Sequence, residues 1–163
     1  MNCTVNIANR QRKQKINGRL LKQIVAELFA QLEITEAELG IHLVGTKEMA
    51  RVNWQFLQHE GPTDVITFDH SEKRKAQGGK QNQLHGELFI CVEVAMTQAK
   101  EFKSTWQSEV VRYVVHGVLH LLGHDDLTPA LRRRMKRAEN GLVRRLAGRF
   151  SLAQLSRTAK LDA

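Results

Sequence analysis

The chain has 163 residues and 42% hydrophobic content, enough for one proper core and little for a second. Its 25 lysines and arginines against 17 acids give a formal net charge of +8, which favours polyanionic partners. Cys3 and Cys91 are too few and too far apart for a disulfide framework or a paired-thiol site. No stretch approaches the roughly eighteen apolar residues of a membrane span, and the first residues have no apolar leader. The expectation is a cytoplasmic chain with reduced thiols and no membrane partner.

Val5 and Ile7 alternate with polar residues as a first strand, after which Leu20, Leu21, Ile24, Val25, Leu28, Phe29 and Leu32 recur at helical spacing. A strand follows around Ile41 to Val44. Thr46, Glu48 and Met49 open a short helix carrying Val52 and Phe56, and Gly61-Pro62 ends that region by turn chemistry. Val65 to Phe68 reads as the next strand, 69–83 as a mobile loop holding Gly78-Gly79, and Leu88 to Val92 as another strand. Helical patterns then run from about Glu93 to Lys103, from about Gln107 to Leu122, and from Thr128, a cap before Pro129, to about Ala147. Strands and helices mixed early with helices alone late predict an α+β fold, a small mixed sheet packed on helices. The expected organisation is a single domain over 1–147 with a loosely ordered tail at 148–163.

The basic residues fall in three groups. Arg10, Arg12, Lys13, Lys15, Arg19 and Lys22 lead into the first helix, and Lys73, Arg74, Lys75 and Lys80 populate the polar loop. Arg132, Arg133, Arg134, Lys136, Arg137, Arg144 and Arg145 decorate the last helix. A single run of this kind is usually a solvated face, but the joint excess over the acids favours nucleic acid. With little aromatic interleaving to stack bases, recognition through the phosphate backbone is the expected mode, and it weakens with salt.

The chemistry is concentrated in 116–126. His116 and His120 lie one helical turn apart on one face, so both imidazoles reach one ion. An unbroken helix would carry His124 about 12 Å beyond His116, too far to share a centre, so the chain has to turn, and Gly123 suits a left-handed helix end. Past that turn Asp126 swings back as a third ligand, with His124 and Asp125 flanking it. Three protein ligands leave a fourth position open, the pattern of a catalytic zinc. The alternative, two ordinary histidines without a metal, is disfavoured because the helix is apolar nearly all round and buried imidazoles need partners. Gly117 in mid-helix implies that something approaches the backbone there.

The spacing His-x-x-x-His-x-x-Gly-x-x-Asp is similar to the zinc segment of metzincin peptidases. Those carry a glutamate base after the first histidine, where this chain has Gly117. A closer resemblance is to the YbeY rRNA-maturation endoribonucleases, whose signature His-Gly-x-Leu-His-Leu-x-Gly-x-Asp-His agrees with 116–126 at every place but the last. The likeness extends to Asn53, to the run Pro62 to Phe68, to Gly86-Glu87-Leu88, and to Met135 and Glu139. It covers roughly residues 39 to 146.

That resemblance implies a four-stranded mixed sheet over a zincin-like metal helix and one zinc ion, with another divalent transition metal as the alternative. It implies single-strand-specific cleavage of RNA in 16S rRNA 3′-end maturation and ribosome quality control. Two departures stand out: Asp126 replaces the family's third histidine, and Leu57 stands where family members often carry an arginine implicated in RNA processing.

On this reading His116, His120 and Asp126 hold the ion. Asp125 is the candidate proton acceptor and His124 a candidate acid, with a turn hydrogen bond and a solvent-facing side chain as the respective alternatives. Asp64 and Glu87 are candidates to orient a ligand imidazole, and Gly86 to Val92 is the expected edge strand lining the substrate groove. The remaining alternatives are a metal-dependent hydrolase of another bond, peptide included, and a ribosome-associated RNA-binding protein braced by its metal.

Overall fold

A computed structural model describes residues 2–71 and 82–156. Its elements are β1 (Asn2–Asn9), α1 (Gly18–Gln31), β2 (Glu36–Val44), α2 (Thr46–Val52) continuing into a π-helical turn (Asn53–Leu57), β3 (Val65–Asp69) and β4 (Gln83–Cys91). Then come α3 (Val92–Glu101), α4 (Trp106–Leu121), α5 (Pro129–Arg149) and a 3-10 turn (Leu152–Leu155). The basic group Lys73, Arg74, Lys75 and Lys80 and the expected loop around Gly78-Gly79 lie outside the described residues.

The helices start where side chains satisfy their free amides. The Asn17 side chain accepts from the Leu20 amide, Thr105 from Ser108, and Thr128 from Leu131 with Pro129 next in line. Among the described residues, no helix is long and apolar enough to cross a membrane.

The four strands run in the order β1-β2-β4-β3, parallel from β1 through β2 to β4 and antiparallel between β4 and β3. This is the mixed α+β sheet the sequence predicts. The edge assignment is corrected, because Gly86 to Cys91 belongs to β4, an interior strand, and the edge beside α4 is β3. β4 also begins earlier than expected, at Gln83, where His85 and Gly86 disguise the pattern.

Alternate residues Leu39, Ile41 and Leu43 of β2 and Leu84, Leu88 and Ile90 of β4 face the main core with α1 and α4. Gly117 explains itself here: a Cβ at this position would sit 2.5 Å from Leu88 Cδ2. The group that approaches the backbone is therefore the sheet. On the opposite face Val44, Met49, Val52, Ile66 and Cys91 make a smaller core with Phe68 and Phe89.

Residues 148–156, expected to be loosely held, are packed. Leu155 is fully buried, its carbonyl accepts from the Asn17 amide at 2.8 Å, and Ser156 bridges to Ile16.

Candidate metal centre

α4 is buried along most of its length, with Val110, Val111, Val114, Val115, Val118 and Leu119 in the core, and Arg112, His116 and His120 share one half-buried stripe outside it. His116 and His120 occupy that stripe half-buried, and their Nε2 atoms stand 3.0 Å apart.

The helix ends in a Schellman turn: the Gly123 amide donates to the His120 carbonyl, the His124 amide to Leu119, and Gly123 adopts φ 100°. This reversal returns Asp126 to the helix, with Oδ2 3.8 Å from His120 Nε2. One donor atom from each of His116, His120 and Asp126 lies within 4.8 Å of the others, a group that could hold a metal ion. The three residues expected to converge do converge.

The chemistry of the donors also fits a cation. Glu139 lies 4% exposed on α5, and its Oε1 is 2.8 Å from His116 Nδ1. Burial pushes its carboxyl up, but hydrogen bonds from His116 and Arg112 and the charge of Lys136 overcome this and bring it down to about 2. Glu139 is therefore a carboxylate placed to accept a hydrogen bond from Nδ1 of His116, an arrangement that frees Nε2, on the His120 side, for an ion. Burial, with His116 beside it, lowers the His120 pKa. Two imidazole nitrogens 3.0 Å apart next to a carboxylate oxygen form a donor set that could hold one divalent ion.

The imidazole-orienting roles expected of Asp64 and Glu87 are not the ones they play. Glu87 stands on the opposite sheet face, bridging His42 and His70 at 2.8 Å each. Those two contacts, His70 first, hold its carboxyl below the usual range. Asp64 Oδ1 accepts from the Val65 amide and the Thr63 hydroxyl. The orienting carboxylate is Glu139, which the sequence signals as an acid on the buried face of α5, in line with Met135, Leu142, Val143 and Leu146.

Arg112 anchors Glu139 from behind, 2.6 Å from Oε2, and donates to Asn140. Asp64, Phe102, Arg112, His116, Lys136 and Glu139 line one cavity of about 420 Å³. His124 and Asp125 are exposed on the turn after α4 and line a second cavity with Leu32, Glu33 and Arg134. Asp125 Oδ1 accepts from the Leu127 amide at 3.1 Å, the turn hydrogen bond weighed for it above. Neither side chain belongs to the donor group.

The chain is thus a mixed α+β protein with a metal-competent imidazole and carboxylate group at a bent helix end. Residues 6–147 match the family model described as Endoribonuclease YbeY, and the chain belongs to that family. An endoribonuclease YbeY from Chlorobaculum parvum is 38% identical over 83% of this chain and 91% of its own. That from Syntrophotalea carbinolica is 33% identical over 90% and 97%. The solution structure of TM1509 from Thermotoga maritima superposes with a TM-score of 0.67 at 25% identity, covering 96% of this chain and 97% of its own.

Proposed function

We propose that the chain is a metal-dependent endoribonuclease that cuts single-stranded RNA, acting in the cytoplasm in rRNA maturation and ribosome quality control. The observation that carries this reading is the convergence of His116, His120 and Asp126 with the Glu139 carboxylate fixing the first imidazole. Family membership supplies the substrate class.

His116, His120 and Asp126 would hold the ion, zinc by their chemistry. When bound, a divalent cation there supplies Lewis acidity toward water and the phosphoryl oxygens. Glu139 sets the tautomer of His116, and Arg112 keeps Glu139 ionised and in place. Lys136 and Arg112 line the cavity beside His116 together with Asp64, Glu109 and Glu139, and both pair with Glu139, so the attraction for a phosphate there would come from the ion. Asp125 as proton acceptor and His124 as donor would serve a phosphate that reaches the turn after α4, where both side chains are exposed.

A peptidase reading is disfavoured by the fold. Gly117, where the peptidase base would stand, is buried against Leu88, so no carboxylate can be accommodated there.

The test incubates zinc-loaded protein with single-stranded RNA and, separately, with casein, and repeats both with chelator and with His116→Ala. RNA cleavage that is lost under both treatments supports the nuclease. Cleavage that survives both rejects the site, casein cleavage favours the peptidase, and RNA binding without cleavage favours a braced binding protein.

A further inference from the structure

The π-helical turn after α2 puts Trp54 at 58%, Phe56 at 57% and Leu57 at 47% exposure, the densest cluster of exposed large apolar side chains among the described residues. Exposed apolar patches of this kind mark contact sites, and π turns recur at functional positions. The turn is firmly held. Asn53 is buried and donates from Nδ2 to the Gly61 carbonyl at 2.9 Å, the Gln58 amide donates to Trp54, and Gln58 closes the turn in the left-handed region at φ 55°.

Phe56 is also fixed from below. Its ring meets Phe68 edge-on at 5.2 Å, Phe68 meets Phe89 edge-on at 5.6 Å, and Phe89 stacks on His42 at 4.3 Å. An aromatic ladder rooted in the smaller core therefore ends in the exposed ring of Phe56.

The occupant follows from what surrounds the patch. Exposed Lys47 and Arg51, one turn apart on α2, precede Trp54 on a chain of net charge +8, so the helix that leads into the aromatic turn carries cations. Three adjacent side chains fall far short of the roughly 20 residues a side that a specific protein interface uses. They suffice for bases, each of which stacks on a single ring.

The chain from Leu57 to Asp64, which borders the His116 cavity, spans at most about 25 Å fully extended. The turn rests on the sheet face opposite α4, so a strand engaged there would reach the metal centre by passing the β3 edge. We propose that Trp54 and Phe56 form a base-stacking platform that grips single-stranded RNA on its way round the β3 edge to the metal centre. The inference rests on the RNA reading above and deepens it, replacing backbone-only recognition with backbone plus base.

The test measures binding of a short single-stranded RNA and of a matched strand carrying abasic positions. Both are titrated under chelator, so that nothing is cut, with the full-length chain. The native chain is expected to prefer the base-bearing strand by about tenfold, with Trp54 fluorescence quenched on binding; Trp54→Phe identifies the signal against that of Trp106. Trp54→Ala and Phe56→Ala each remove most of the preference while leaving abasic binding in place, and Trp54→Phe retains it. Equal binding of both strands by the native chain, or a preference that survives the double alanine variant, overturns the platform and leaves the nuclease reading standing. Failure to bind either strand overturns both.

Discussion

His116 of α4 and Glu139 of α5 meet at 2.8 Å, nitrogen Nδ1 to oxygen Oε1, and this contact joins the metal centre to the packing of two helices. An imidazole so fixed loses little freedom when its other nitrogen takes an ion. The same carboxylate also receives Arg112 at 2.6 Å and Lys136 at 3.4 Å, so its charge is compensated inside the protein.

Glu139→Gln keeps the size of the side chain but removes its charge and part of its accepting capacity. Zinc affinity, measured by competition with a chromophoric chelator, should fall by about 10- to 100-fold with the fold retained. An unchanged affinity would show that His116 is oriented by something else.

The same residue sets an acid limit on the metal-free protein. The Glu139 carboxyl ordinarily titrates near 4.5 and is brought down to about 2 in the fold. A depressed carboxylate pKa means that the unfolded chain binds the proton first. The stabilisation is then complete above about pH 4.5 and is lost as pH falls from there through about 2. Its size is on the order of 3 kcal/mol. Urea midpoints of the native chain and of Glu139→Gln should differ at pH 6 and converge toward pH 2. A gap independent of pH would remove the assignment.

The metal segment was legible because its logic is local. A turn of helix spaces His116 from His120, a left-handed glycine at 123 ends it, and Asp126 returns within the same few residues. Thr128 before Pro129 was equally readable as a helix start. The order of the strands was not, since β4 enters between β2 and β3 through pairings remote in sequence, and an interior strand with His85 and Glu87 on one face resembles an edge. Glu139 was visible as an acid on an apolar face, but its partner lies on another helix. Phe56 was misplaced for a different reason. Four residues after buried Val52, it belongs on the same face of an α-helix, but the π turn rotates it to the surface.

Gly117→Ala tests how closely α4 lies on the sheet. Alanine improves helix propensity by about 1 kcal/mol, but its Cβ would fall 2.5 Å from Leu88 Cδ2, and Leu88 is fully buried. Overpacking of this kind costs about 1–3 kcal/mol, so the single variant should be destabilised in urea unfolding. In a Leu88→Ala background the obstruction is gone, and the same Gly117→Ala change should become stabilising by about 1 kcal/mol. The reversal of sign separates a steric contact from a backbone requirement. If both backgrounds lose stability, the contact with Leu88 is not the reason for glycine.

Leu57→Arg introduces the arginine that the family resemblance implies for this place. The side chain is 47% exposed at the end of the π turn, so an arginine there meets solvent and needs no repacking. Its guanidinium would add about one phosphate contact to a single strand passing the turn. The slope of log binding constant against log salt should then steepen by about 0.7, with the largest gain in affinity at low salt. Affinity that rises without a change in slope would mean that the arginine stacks on a base instead of pairing with phosphate. No change in either would place the RNA path away from the turn.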